Sequence, residues 1–182
     1  MVALTPAIFS QSTPSGFADE YFKGIWNGQY SEPVVGITFD ETSRLFAWTK
    51  EGKVYVYQSQ SQSWSTLLDI RGEVNSSLDG GILGFALDPD FLSNGYFYVY
   101  YSTYVGTAAM GRVKRFKAIN PTVTNPVTDY QSTSTKILIG ETASTGIPTT
   151  ILSHSGGTLV FGTDGSLIVS TGDGAYYSND DN

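Results

Sequence analysis

Gly84-Phe85-Ala86-Leu87-Asp88-Pro89-Asp90, followed after three residues by Asn94-Gly95-Tyr96-Phe97-Tyr98-Val99, is the stretch on which the fold turns, because it is echoed on either side. Upstream, Gly36-Ile37-Thr38-Phe39-Asp40-Glu41-Thr42-Ser43-Arg44-Leu45-Phe46-Ala47 carries the same order of apolar run, turn and apolar run. Downstream, Leu159-Val160-Phe161-Gly162-Thr163-Asp164-Gly165-Ser166-Leu167-Ile168-Val169-Ser170 does so again. With Phe39, Leu87 and Phe161 as equivalents, the copies stand 48 and 74 residues apart, the second spacing stretched by a Ser/Thr/Pro-rich insert from about Pro121 to Thr150. Units of about 40–50 residues, each with several short strands, mark propeller blades, in which every small sheet buries its face against the next. A sandwich would not repeat in this way.

Outward from these anchors the chain alternates β-branched and aromatic runs with Gly, Asn and Asp turns, and it has hardly any helical apolar spacing, so the fold class is all-β. Strands are predicted at Leu45–Trp48, Lys53–Tyr57 after a Glu51-Gly52 turn, Trp64–Ile70, Ile82–Leu87, Tyr96–Tyr101, Arg112–Lys117, Lys136–Ile139, Thr158–Phe161 and Leu167–Thr171. The turn between Ile82–Leu87 and Tyr96–Tyr101 falls at Pro89–Gly95, and the last hairpin turns about Thr163-Asp164-Gly165. Propellers close with about 4–8 blades. Two blades and the opening hairpin of a third predict a piece of a longer ring over residues 16–182, behind a lead over residues 1–15 that reads either as unanchored chain or as the stub of a secretory signal.

Composition narrows the partners. The 182 residues carry 10 Lys+Arg against 17 Asp+Glu, a net charge of −7, which argues against nucleic acid and anionic membrane surfaces. No apolar run approaches the roughly 20 residues of a membrane-spanning helix. With 12 Tyr, 10 Phe and 3 Trp the chain has ample material for a core, and with no Cys it has no disulfide, thiolate zinc site or thiol nucleophile. One sequon, Asn75-Ser76-Ser77, is too common a pattern to decide secretion.

In a propeller, the loops leading into the first strand of each blade gather on one side of the disc around its channel. The repeat places Ser31/Glu32, Asp79/Gly80 and Ser153/His154 at matching lead-in positions, so Asp79 and the chain's one histidine, His154, are expected on one rim. If cross-strand partners of the last hairpin sum to 327, His154 faces Asp173; a one-residue slip would still leave both at the hairpin's open end. A histidine beside a carboxylate is the arrangement of a general base near neutral pH, because the acid fixes the tautomer and stabilises the imidazolium. Spacing alone leaves open that His154 is a polar loop residue and Asp173 a turn former. Ser153 and Ser155 flank the histidine without the geometry of a hydrolase triad. Asp173, Asp180, Asp181 and Asn182 offer hard oxygen ligands but lack the alternation of a calcium loop, so no metal site is assigned. Arg112-Val113-Lys114-Arg115-Phe116-Lys117 reads as a solvated strand face, and the aromatic run 96–101 as inter-blade core.

Two motifs at their relative positions, Gly80-Gly81-Ile82-Leu83-Gly84-Phe85-Ala86-Leu87-Asp88-Pro89-Asp90-Phe91 with Asn94–Tyr101, and His154-Ser155-Gly156-Gly157-Thr158 running on to Thr171-Gly172-Asp173-Gly174, resemble the glucose/sorbosone dehydrogenase family. The resemblance runs from about Gly16 to the end of the chain. It implies a six-bladed β-propeller, of which this chain would be the N-terminal part. It also implies an oxidoreductase that uses pyrroloquinoline quinone (PQQ) and Ca2+, oxidises the anomeric hydroxyl of an aldose to a lactone, and passes electrons to an external acceptor, in the periplasm or as a secreted protein. His154 matches the family's catalytic base and Asp173 the acid that orients it. Asp79 falls where the family commonly has Gln or Glu near cofactor and substrate, and is shorter than either; Ser155 replaces an Asn often found after the histidine. The family's basic clamps for the quinone and its calcium ligands belong to later blades, so activity is not expected of this stretch alone. A hedgehog-interacting-protein-like propeller, an extracellular binding module without sugar oxidation, is the alternative that the same fold allows. A propeller lactonase would need a central metal cage that these blades do not show.

Overall fold

The strands form where branched and aromatic side chains alternate, and the turns between them set three sheets in sequence order. A computed structural model describes residues 15–16, 33–123, 126–128, 135–149 and 152–174. The first sheet is an antiparallel meander of β1 (Val34–Phe39), β2 (Leu45–Thr49), β3 (Lys53–Gln58) and β4 (Ser63–Asp69). The second has β5 (Ile82–Leu87), β6 (Tyr96–Val105) and β7 (Ala108–Ile119) at its heart. The outer edge of β7 is paired in turn by three short pieces of the predicted insert, β8 (Val127–Thr128), β9 (Lys136–Ile139) and β10 (Ile147–Pro148). A hairpin of β11 (Gly157–Phe161) and β12 (Leu167–Thr171) makes the third. A short α-helix, α1 (Phe91–Asn94), sits inside the predicted Pro89–Gly95 turn and ends on Gly95, whose φ of 73° is left-handed.

The repeat has a structural counterpart. Phe39, Leu87 and Phe161 are each the last residue of the first strand of their sheet. Two of these strands also share an irregularity: register shifts between Val34 and Gly36 and between Ile82 and Gly84, 48 residues apart. Both glycines are needed for close approach. A Cβ on Gly36 would lie 2.0 Å from the Trp48 ring, and one on Gly84 would lie 2.7 Å from the Leu159 backbone nitrogen, so Gly84 lets β11 settle directly on β5.

The sheets stack face to face, β5 packing against β1 and β2 on one side and β11 on the other. Strand alternation sorts the side chains between the two contacts. Phe85, Phe97, Val99 and Phe116 face the first sheet's Phe46, Val54 and Val56 in a closed cluster. Its rings run in series, Phe46 to Phe85 at 6.2 Å, Phe85 to Phe97 at 5.7 Å and Phe97 to Phe116 at 5.6 Å. Ala86, Tyr100 and Val113 face the third sheet's Leu159, with Tyr98, Phe161, Leu167 and Val169 only half-buried around them. The aromatic run 96–101 is therefore core, and it serves both contacts.

The structure corrects a first expectation from the sequence here. The basic run 112–117 is not a solvated face, because its charged side chains are half-buried against other parts of the molecule. Lys114 pairs with Glu73 at 2.9 Å, Arg112 Nε donates to the Gly140 carbonyl at 2.8 Å, and the Arg115 guanidinium lies 4.2 Å from the Tyr96 ring centre. All three are half-buried; Lys114 and Arg112 are hydrogen-bonded, while Arg115 rests on the Tyr96 ring with its Nε lacking a hydrogen-bond partner among the described residues.

Candidate active site

The site lies where the second and third sheets meet, at the end where the chain leads into β5 and β11. The loop between β4 and β5 brings Asp79, and a rigid base delivers it. Glu73 carries much of that base: its carboxylate accepts from the Tyr101 hydroxyl at 2.7 Å and from Lys114 Nζ at 2.9 and 3.0 Å, while its carbonyl accepts from the Thr103 hydroxyl at 2.8 Å. Burial pushes the Glu73 carboxyl up, but the bonds from Lys114 and Tyr101 outweigh it and leave the group below the usual range. Burial and the adjacent Glu73 charge push the Tyr101 hydroxyl well above its ordinary value, so it stays a neutral donor. Further along the loop, Asn75 N–H donates to the Ser102 carbonyl, the Asn75 side chain accepts from Ser77 N–H, and Lys50 Nζ donates to the Leu78 carbonyl. A Cβ at Gly80 would come within 2.6 Å of the Asn75 carbonyl oxygen, so the loop closes this tightly only with glycine there.

His154 arrives on the loop before β11 with a left-handed φ of 50°. For a non-glycine residue that conformation costs on the order of 1 kcal/mol and needs outside support. The support comes from three directions. Asp79 Oδ2 accepts the His154 backbone N–H at 2.8 Å. The His154 carbonyl accepts from Gly174 N–H at 3.3 Å, continuing the β11–β12 ladder through the Gly172 N–H to Gly156 carbonyl bond. The imidazole Nδ1 lies 3.2 Å from Asp173 Oδ1. Gly172 is required for this closure, since a Cβ there would fall 1.8 Å from the His154 carbonyl oxygen.

The register of this hairpin is a second correction. Cross-strand partners sum to 328, as in Gly157 with Thr171 and Phe161 with Leu167, so His154 stands opposite Gly174 and not Asp173. The turn is a five-residue loop centred on Asp164, whose Oδ1 accepts from Ser166 N–H while Gly165 takes φ 81°. His154 and Asp173 still meet at the open end, because the left-handed backbone takes His154 out of strand alternation.

The structure thus brings Asp79, His154 and Asp173 together. Ser31, Glu32, Asp180, Asp181 and Asn182 lie outside the described residues, and among the described residues no cluster of three His, Asp or Glu is arranged to hold a metal ion. Ser155 is buried, and its hydroxyl has no hydrogen-bond partner among the described residues, so it is no nucleophile activated by His154. Glu73 and Gly172 escape a reading of the sequence; the only signal for either is Gly172's place in the Thr-Gly-Asp-Gly motif. The side chains of His154 and Asp173 are 46% and 66% exposed, so none of the described residues closes over the pair. Beside Asp173 lies a depression of about 440 Å³, lined by Met110, Ser144, Pro148, Thr149 and Gly174 among others. With Nδ1 protonated and donating to Asp173, His154 Nε2 is left as an acceptor for a substrate proton.

Known proteins share this geometry's framework. A 25% identical oxidoreductase from Thermus thermophilus, described as a glucose dehydrogenase, superposes with a TM-score of 0.58 over 75% of this chain and 36% of its own. The PQQ-bound aldose sugar dehydrogenase of Streptomyces coelicolor is 22% identical, with a TM-score of 0.59 over 79% of this chain and 39% of its own. The soluble aldose sugar dehydrogenase of Escherichia coli, in its apo form, is 18% identical, with a TM-score of 0.54 over 76% and 37%. The chain therefore spans well under half the length of each of these structures, and they share with it the fold of stacked antiparallel sheets. The sequence profile of glucose/sorbosone dehydrogenases matches residues 31–181, from just before β1 to beyond the Gly-Asp-Gly motif. By that match over most of its length, the chain belongs to the glucose/sorbosone dehydrogenase family.

Proposed function

We propose that this chain is the base-bearing part of a six-bladed sugar dehydrogenase that oxidises the anomeric hydroxyl of an aldose to a lactone. The observation that carries the reading is the His154–Asp173 pair at 3.2 Å, solvent-open beside a depression, in a chain of this family. Oxidation of a hemiacetal carbon removes one proton from oxygen and one hydride from carbon. His154 Nε2 takes the proton; Asp173 keeps the imidazole in the right tautomer and stabilises the cation that results. An exposed pair leaves room for the sugar to displace water as it binds.

The hydride needs an acceptor, and the aldose dehydrogenase of Streptomyces coelicolor binds PQQ. When bound, such a quinone accepts two electrons. The described residues around His154 fit the base end of that chemistry: the carboxylates of Asp79 and Asp173 hold the histidine and offer no cation to an anionic quinone. The proton transfer is the step this chain's residues support, and cofactor and calcium would be held by residues other than those described. The family resemblance also supports an external electron acceptor and a periplasmic or secreted location. No described helix is long and apolar enough to cross a membrane.

Replacing the base tests the reading. In the active protein that contains this chain, His154→Ala is expected to lower kcat for PQQ-supported aldose oxidation by about 10²–10⁴-fold, the usual worth of a positioned general base. Undiminished dye reduction in that variant would overturn it.

A further inference from the structure

We infer that Asp79 is a positioning residue that pins the His154 backbone, and that it is the acceptor oxygen, not the negative charge, that the site requires. The inference rests on the reading of His154 as the base. Two reciprocal bonds tie the Asp79 loop to the His154 loop: Asp79 N–H donates to the Leu152 carbonyl at 2.8 Å, and Asp79 Oδ2 accepts from His154 N–H at 2.8 Å. Leu152, between them, is buried with 2% of its surface exposed, so the clamp has a fixed floor. On the far side, the Glu73, Asn75 and Lys50 bonds leave the loop little freedom to swing its carboxylate elsewhere.

The pin matters because of where it acts. His154 sits in the left-handed region, a conformation that a side chain with a Cβ leaves when nothing holds it. Its carbonyl is held by the β12 side and its ring by Asp173, both from the third sheet; Asp79 is the hold that comes from the second sheet. Loss of the pin frees φ at His154, and a rotation there swings the whole imidazole. A base must meet its proton within hydrogen-bond reach, so a displacement on the order of 1 Å is felt as lost turnover more than as lost binding.

An amide carbonyl oxygen can accept the same N–H as a carboxylate, with a bond about half as strong. Asp79→Asn and Asp79→Ala in the active protein therefore separate the roles. Asp79→Asn is expected to keep kcat within about threefold of the parent. Asp79→Ala is expected to lose about 10–100-fold in kcat with KM nearly unchanged. NMR of protein labelled with ¹⁵N-histidine supplies a readout independent of turnover: the His154 amide should exchange with solvent slowly in the parent and in Asp79→Asn, and about tenfold or more faster in Asp79→Ala. The inference is overturned if Asp79→Asn falls as far as Asp79→Ala, if the loss appears in KM, or if His154 amide exchange ignores both changes. Should Asp79→Ala fail to fold by circular dichroism, the Asp79→Asn turnover and exchange rate decide. A His154→Ala protein that stays active removes the base reading but leaves the exchange result standing, so the two failures are distinguishable.

Discussion

The two inter-sheet contacts are built from the same central sheet, yet they differ in kind. The contact toward the first sheet is a closed aromatic cluster in which Phe46, Phe97, Val99 and Phe116 are at most 1% exposed. The contact toward the third sheet has only Ala86, Tyr100, Val113 and Leu159 buried, ringed by half-buried side chains and by polar bonds such as Tyr98 Oη to Asp88 at 2.9 Å. The candidate site stands at the end of the second contact. A closed apolar contact maximises burial and leaves no acceptor near solvent; a half-open one keeps carboxylates and an imidazole wet and reachable. Part of the difference is size: the third sheet has two strands among the described residues against four in the first, so it covers less of the second sheet's face, and the candidate site stands on that side.

Truncating matched aromatics gives the largest effect and tests that difference most directly. Phe97→Ala is expected to cost about 3–5 kcal/mol, because it opens a cavity between Phe85 and Phe116. Phe161→Ala, edge-on to Tyr98 at 5.3 Å and half-buried, is expected to cost about 1–2 kcal/mol. Denaturant unfolding of both variants measures the difference, and equal losses would break the comparison. A smaller effect is expected at the hydroxyl of Tyr98, which burial and Asp88 push up to about 12, so that it donates as a neutral group at all ordinary pH values. Tyr98→Phe should cost about 1 kcal/mol, and the same denaturant measurement should return that cost unchanged between about pH 6 and about pH 9.

The smallest effect is the most specific. The Glu73 carboxyl is held below its ordinary 4.5, so the ionised form stabilises the fold above that value and the gain is lost as pH falls through the folded pKa. Glu73→Gln should therefore be less stable than the parent at pH 7 by about 0.5–1 kcal/mol, a figure reduced for the partial exposure of the carboxylate. The gap should close as pH drops below about 4. Thermal melts from about pH 3 to about pH 7 check the convergence, and a gap that widens in acid would contradict the sign.

Much of this arrangement is legible in the residues. The 48-residue echo between Gly36 and Gly84 marks equivalent bulges because close approach admits only glycine at both, and alternation at Phe97, Tyr98, Val99 and Tyr100 reads out which side chain meets which neighbour. The meeting of Asp79 with His154 across 75 residues follows from the same repeat. The register of the last hairpin does not, because whether Asp164 and Gly165 make a four- or five-residue turn depends on side-chain capping that spacing does not encode. The basic strand misleads for a related reason: alternating Arg and Lys look solvated until Glu73, the Gly140 carbonyl and the Tyr96 ring meet them, contacts with segments that share no local pattern with the strand. Glu73 is invisible in the sequence because its partners Tyr101 and Lys114 lie on two strands of the next sheet.

The Asp79–His154 bond crosses a boundary between sheets, and that has a thermodynamic corollary. Anything that binds across this seam, gripping residues on both sides, adds its binding free energy to the cohesion of the second and third sheets. By reciprocity, whatever loosens the seam lowers affinity at the site by the same amount. Occupancy of the site and integrity of the sheet stack would then be two readings of one equilibrium.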